Sequence, residues 1–130
     1  MKITFLGAGS TIFVKNVIGD ALLSEALCNS EIALYDIDEN RVNESLAVVS
    51  AINNKYNGGK AKIKTYLGVE NRRAALAGAD FVVNAIQVGG YDPCTIIDFE
   101  IPKKYGLLQT IGDTLGIDIN AIGYDILALE

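Results

Sequence analysis

Two glycines and one carboxylate are the first residues of this chain whose types and spacing could do chemistry. Gly7 and Gly9 stand in Gly7-Ala8-Gly9-Ser10, directly after the apolar run Ile3-Thr4-Phe5-Leu6. A glycine at position 7 lets the backbone turn sharply. Gly9 carries no side chain, so a pyrophosphate can approach the main chain, and a helix starting there would aim its unpaired N–H groups at that phosphate. Asp36 follows Gly9 by 27 residues. A carboxylate at that distance can accept hydrogen bonds from adenosine ribose hydroxyls and repels a 2′-phosphate, which favours NAD over NADP. A third group, Asn84 and Gln87-Val88-Gly89-Gly90, ends a strongly apolar run. Its glycine pair would let a nicotinamide pass close to the backbone. Each feature also has a plainer reading: a strand-to-loop turn at Gly7 and Gly9, a turn aspartate at 36, a strand-end turn at Gly89-Gly90, and an Asn84 that satisfies backbone groups. The third glycine of G-x-G-x-x-G is absent, since Ile12 holds its place.

The surrounding periodicity supplies elements that could position these residues. Residues 2–6 read as a strand. Val14, Val17, Ile18, Ala21, Leu22 and Leu27 recur near a helical period, and Cys28-Asn29-Ser30 is expected to end that helix. Glu31 to Tyr35 reads as a second strand with Asp36 at its end. Asp38 is placed to cap a helix from about Glu39 to Tyr56, with Val42, Leu46, Val49 and Ile52 on one face. Lys62 to Leu67 alternates, as a strand with one partly exposed face does. A short helix is expected over Asn71 to Ala77, then a fourth strand over Phe81 to Ile86. Asp98 to Tyr105 has helical character that Pro102 should interrupt. A fifth strand is expected near Leu107 to Ile111. Strands alternating with helices predict an α/β fold: a Rossmann-like, doubly wound, mostly parallel sheet with helices on both faces, and incomplete.

Composition narrows the partners. The chain has 130 residues, half of them hydrophobic, which suits one domain with a real core. The net charge is −5 with no basic cluster, which argues against nucleic acid. The first residues are too soon interrupted by glycine for a signal peptide, and no apolar run approaches the ~18 residues of a membrane span. A soluble, cytoplasmic protein is expected, with Cys28 and Cys94 as reduced thiols. The sequence has no histidine, which removes the commonest general base and metal ligand.

The pieces Gly7-Ala8-Gly9-Ser10, Asp36, Val88-Gly89-Gly90-Tyr91-Asp92, Ile101-Pro102-Lys103-Lys104-Tyr105-Gly106 and Gln109-Thr110-Ile111-Gly112-Asp113-Thr114 together resemble the N-terminal part of family-4 glycoside hydrolases, closest to the α-galactosidase (melibiase) branch. The resemblance covers residues 1 to about 117. It implies NAD-dependent glycosidic cleavage outside the usual two-carboxylate scheme. The sugar is oxidised transiently at C3, the C2 proton becomes acidic, the aglycone is eliminated, water adds, and the hydride returns. A divalent metal, usually Mn2+, polarises the sugar oxygens. By the same resemblance Gly7, Gly9, Ser10 and Asp36 hold NAD, Asn84 and Gln87 line its nicotinamide side, and Asp113 raises the basicity of a catalytic tyrosine. Members acting on 6-phospho sugars tend to carry arginine after the glycine pair. Here no arginine follows Arg73, and Asp92 would repel a phosphate. An unphosphorylated α-galactoside is therefore the expected substrate.

The resemblance also sets limits. Family members are much longer, and their metal-binding cysteine and histidine and their catalytic tyrosine come from the later part. Residues 1–117 are expected to form the NAD-binding domain, and residues 118–130 a divergent, helical tail produced by truncation, frameshift or joining. The chain by itself is expected to be inactive, and to self-associate if the tail leaves apolar surface uncovered. Two alternatives remain from the residues: a stand-alone NAD-binding module without catalysis, and a fragment of a lactate- or malate-type dehydrogenase. The second shares the glycine turn and the acidic residue but leaves Gly112-Asp113-Thr114 unexplained.

Overall fold

Four short strands, all parallel, lie side by side in the order β3-β2-β1-β4. They are β1 (Lys2–Leu6), β2 (Glu31–Asp36), β3 (Lys62–Leu67) and β4 (Phe81–Asn84). The computed structural model describes residues 1–86 and 89–108, in two compact units, Met1–Ile86 and Gln87–Glu130. Helices α1 (Thr11–Leu23), α2 (Glu39–Tyr56) and α3 (Arg72–Leu76) make the crossovers of the first unit, as parallel strands require. The register is unbroken: Leu6 lies beside Tyr35 on one flank and Asn84 on the other. The C-terminal ends of β1, β2 and β4 therefore share one edge.

Strand alternation decides which helix covers which face. Ile3, Phe5, Ile32 and Leu34 point to one side and pack with Val14, Ile18 and Leu22 of α1 and Val42 and Val49 of α2. Val14, Ile18 and Leu22 are four apart, so they form one stripe. Leu6 and Tyr35 point the other way and pack with Ala75 of α3. Buried Thr4 donates its hydroxyl to the Ala75 carbonyl at 2.8 Å, and the Lys2 ammonium donates to the Ala77 carbonyl at 2.7 Å, capping the end of α3. Helices thus lie on both faces over β1 and β2, the Rossmann-like α/β arrangement the alternation predicts, while Phe81 and Val82 leave β4 half-exposed on either side. β3 has Lys62 and Lys64 on its exposed side, but Thr65 is exposed as well and Tyr66 is half-buried, so the expected alternation does not run the length of the strand.

Several boundaries differ from expectation. α1 stops at Leu23, because Ser24 is extended (φ −79°, ψ 128°) and residues 24–28 close a turn through Ser24 and Cys28. Leu27 still packs on the core from that turn. A 3-10 turn, Val69–Asn71, precedes α3. β4 ends at Asn84, and Phe81 remains 54% exposed, so the most apolar strand lies at a sheet edge. In the second unit the segment Gly90–Thr95, kinked at Asp92, which is extended (φ −112°, ψ 122°), leads into α4 (Ile96–Lys104). α4 runs through Pro102 instead of breaking there. The proline forgoes the bond that an N–H at 102 would give to the Asp98 carbonyl one turn earlier. The stop comes from Gly106 at φ +74°, whose amide bonds the Lys103 carbonyl. Leu107 and Leu108 belong to no strand, and the rest of the expected fifth strand lies outside the described residues.

Candidate functional site

The sheet order places the reversal of winding between β1 and β4, at whose carboxyl ends open α/β sheets bind ligands. The turn from β1 to α1 sits there. Gly7 and Ala8 both donate their N–H groups to the Tyr35 carbonyl, at 3.0 and 2.8 Å, so β1 and β2 remain paired into the turn. Burial pushes the Tyr35 hydroxyl above its ordinary pKa. Gly7 has φ +83°, and a Cβ on it would stand 2.5 Å from the Ala85 carbonyl oxygen. Glycine is required by conformation and by the close approach of the chain leaving β4.

Asp36 closes the other side. Its Oδ2 accepts the Gly9 N–H at 2.5 Å, and its Oδ1 accepts the Asp38 N–H at 3.0 Å. An ionised carboxylate has about four acceptor positions. Two are used by backbone, which fixes the rotamer and leaves others for hydroxyl donors. A side chain at Gly9 would stand 2.7 Å from Asp36 Oδ2 and 2.9 Å from Arg41 Cδ. The missing side chain thus admits the β2–α2 loop to the turn, so that Asp36 and Arg41 fill the space the sequence reading assigned to a pyrophosphate.

The two helix starts contrast. α2 is closed by its own residues: Asp38 accepts the Arg41 N–H at 3.1 Å, as its cap position predicts, and Glu39 adds a negative charge. α1 has neither device. Ser10 is its N-cap without a side-chain capping bond, and no acidic residue stands in its first turn. Among the described residues no side chain caps its positive end beside Gly9. Phe13 anchors this start by an edge-on contact with Phe5, ring centroids 5.6 Å apart. Ile12, in the position of the third glycine, is 73% exposed. Its Cβ points away from the strand, so close packing does not demand glycine there.

One determinant was not foreseen from the sequence. Ser45, buried in mid-α2, donates its hydroxyl to the Ala8 carbonyl at 2.5 Å and lies 3.3 Å from the Thr11 hydroxyl. A serine facing the core among Val42 and Val49 was the available signal. Asn84 ends β4 exposed, its side chain accepting the Ile86 N–H at a long 3.4 Å. The structure therefore brings Gly7, Gly9, Ser10 and Asp36 together, with Asn84 at the same strand edge. Gln87 and Asp113 lie outside the described residues. Cys28 and Cys94 are both free thiols. Among the described residues no three Cys, Asp or Glu side chains converge to hold a metal, and no helix is long and apolar enough to cross a membrane.

A parallel sheet wound in both directions, with a glycine turn and an acidic strand end at its reversal, defines an α/β protein of the Rossmann-like class. The sequence comparison is narrower: the chain belongs to family 4 of the glycosyl hydrolases, whose family model matches residues 2–127. It is 59% identical over 116 residues to an alpha-galactosidase of Bacillus subtilis (strain 168), covering 89% of this chain and 26% of that protein. It is 35% identical over 115 residues to an alpha-glucosidase of Erwinia rhapontici, covering 88% and 24%. It is 32% identical over 116 residues to an alpha-galacturonidase of Thermoanaerobacterium saccharolyticum, covering 89% and 24%. The chain spans about a quarter of the length of these relatives. Membership in this family sets aside the lactate- and malate-type dehydrogenase alternative.

Proposed function

We propose that this chain is the NAD-binding portion of an α-galactosidase-type glycosyl hydrolase. The observation that carries the reading is the Asp36 carboxylate, fixed by the Gly9 and Asp38 amides beside a helix start without a side-chain cap. In this reading the α1 N-terminus and the Gly9 turn bind the pyrophosphate, Ser10 adds a hydroxyl, and Asp36 receives the ribose hydroxyls. Asn84, at the end of β4, faces the nicotinamide half together with Gln87. Bound there, NAD supplies transient oxidation of the sugar at C3, which acidifies the C2 proton ahead of elimination of the aglycone. Asp113 would raise the basicity of a tyrosine supplied elsewhere in the full-length enzyme, and the ligands of a divalent metal such as Mn2+, which would polarise the sugar oxygens, would come from that other part as well. The substrate of that enzyme is an unphosphorylated α-galactoside: identity is 59% to the B. subtilis alpha-galactosidase against 35% to the E. rhapontici alpha-glucosidase, and the segment Gln87-Val88-Gly89-Gly90-Tyr91-Asp92-Pro93-Cys94-Thr95 carries no arginine to hold a sugar phosphate. The protein works in the cytoplasm, and residues 1–117 form the cofactor domain.

Calorimetry on the folded chain tests the cofactor assignment. NAD is expected to bind, and more tightly than NADP. A monodisperse, folded sample that takes up no NAD overturns the assignment. The chain alone is expected not to cleave p-nitrophenyl α-galactoside with NAD, Mn2+ and a reductant; turnover would show that these 130 residues carry the whole active site.

A further inference from the structure

We infer that Asn57 is a deamidation site of this chain, shielded while the end of α2 stays folded, and that its conversion to aspartate or isoaspartate prevents the start of the sheet from closing again. Asn57-Gly58 is the one Asn-Gly pair in the sequence. Glycine has no Cβ to screen its own amide, so the nitrogen that must attack is the least hindered an asparagine can have after it. Gly58 is exposed, and a Cβ added to it would meet no atom within 4 Å, so solvent base and water have access there. On loss of its proton to base, the Gly58 nitrogen bonds to Asn57 Cγ. The Cγ–Nδ2 bond breaks, and Nδ2 takes up a proton and leaves as ammonia. Water then opens the cyclic imide at one carbonyl or the other and restores the N–H. One water is taken up, one ammonia is released, and nothing is oxidised.

The folded chain blocks the first step twice. Asn57 is the C-cap of α2, with φ −115° and ψ −1°. At that ψ the Gly58 nitrogen eclipses the Asn57 nitrogen, whereas ring closure needs it over Cβ and within reach of Cγ. The side-chain amide is also held. Its Nδ2 spends both hydrogens, on the Cys28 carbonyl at 2.7 Å and on Asn53 Oδ1 at 3.0 Å, and Asn57 is 6% exposed. The same contacts make the product a misfit. A carboxylate at position 57 only accepts, and it would face two acceptors, the Cys28 carbonyl and Asn53 Oδ1. Asn53 cannot turn its amide over to offer a donor, because its Nδ2 is given to the Ala61 carbonyl and its Oδ1 takes the Ala61 N–H. A buried charge without a donor is costly, and isoaspartate also lengthens the main chain at the helix end. The segments this loosens are those that begin β2 and β3, where the Lys62 N–H meets the Ser30 carbonyl at 3.2 Å. Opening of the α2 end is thus reversible until Asn57 reacts and irreversible afterwards.

The test holds the whole chain in mildly alkaline buffer, folded and in denaturing urea, and follows position 57 by peptide mass spectrometry. Reaction at Asn57 should be slower in the folded chain by about tenfold or more. Equal rates in the two states overturn the inference. Urea is then removed from partly reacted chain, and the refolded fraction is separated from the rest by gel filtration. The reacted position should be concentrated about tenfold in the fraction that has not refolded. An even distribution between the fractions overturns the inference without any variant. Two variants isolate the cause. Asn57→Ala loses the two hydrogen bonds, and Asn57→Asp loses them and adds the charge, so Asn57→Asp should have the lower urea midpoint. A midpoint for Asn57→Asp equal to or above that of Asn57→Ala overturns the clash of acceptors as the cause. If Asn57→Asp does not fold, the refolding of partly reacted wild type decides.

Discussion

The Gly9 amide points at Asp36 Oδ2 across 2.5 Å, so the turn after β1 and the end of β2 are one unit. The carboxylate does two jobs: it holds the turn, and it presents its remaining acceptor positions outward. Replacing it separates them. Asp36→Asn keeps an acceptor for the Gly9 amide but removes the charge. It should cost NAD about 1.5–3 kcal/mol, roughly tenfold or more in affinity, while repelling NADP less. Asp36→Ala should in addition loosen the turn and narrow the preference between the cofactors further. Equal NAD and NADP affinities in the wild type would contradict the role given to this charge.

Gly7 gives a stability prediction independent of any ligand. Gly7→Ala puts a Cβ at φ +83°, against the Ala85 carbonyl. The left-handed strain and the overlap together should lower stability by about 3 kcal/mol. Urea unfolding of the variant, read by circular dichroism, measures this, and a loss below 0.5 kcal/mol would show that the chain after β4 yields easily.

How much of this was legible in the sequence depends on where the determining contacts lie. α2 and β3 were readable to the residue, because Asp38, the apolar stripe and the Asn57-Gly58-Gly59 stop are all local signals. The end of α1 was not: Leu27 fits the helical period yet reaches the core from a turn. The persistence of α4 past Pro102 was not readable either, because the local signal of a proline is a break. The glycine turn and Asp36 stood out by type and spacing, whereas Ser45 and Arg41 did not. Their roles arise from residues 37 and 32 positions away, Ala8 and Gly9, that only the fold brings near.

Ser45 is the positioning residue for that turn. Its hydroxyl is the partner of the buried Ala8 carbonyl. Ser45→Ala should leave that carbonyl unpaired and lower stability by about 1–3 kcal/mol. Ser45→Cys, close in volume but a weaker donor, should fall between. If the hydroxyl orients the turn, both variants lose affinity for ADP-ribose under conditions where they are fully folded. Retained affinity would reduce Ser45 to packing.

A second buried polar group sits at the opposite end of α2. Asn53 donates to the Ala61 carbonyl at 3.0 Å, and its Oδ1 accepts the Ala61 N–H and Asn57 Nδ2. Asn57 in turn donates to the Cys28 carbonyl at 2.7 Å. The pair ties the starts of β2 and β3 to the helix end. Asn53→Ala strands both Ala61 groups and should cost about 2–3 kcal/mol, visible as a lower urea midpoint with unchanged NAD affinity, since the nucleotide site lies at the far end of the strands.

The Glu31–Lys64 pair predicts a pH dependence of definite sign. The two side chains meet at 2.9 Å across β2 and β3. The hydrogen bond from the Lys64 ammonium holds the Glu31 carboxyl below its ordinary value of 4.5, with charges on Lys64, Lys2 and Lys62 adding to it. The folded chain therefore binds a proton at Glu31 less readily than the unfolded chain does. The stabilisation is fully present above the ordinary carboxylate value and is lost as the pH falls through the lowered one. Lys64→Met removes the leading cause, so Glu31 should titrate closer to its ordinary value and the variant should lose less stability on acidification. Carbon-detected NMR of the Glu31 carboxyl in both proteins measures the shift directly. Because the Lys64 side chain is exposed to solvent, added salt should also reduce the difference between the two proteins. A Glu31 titration identical in wild type and Lys64→Met would mean that the ion pair does not persist in solution.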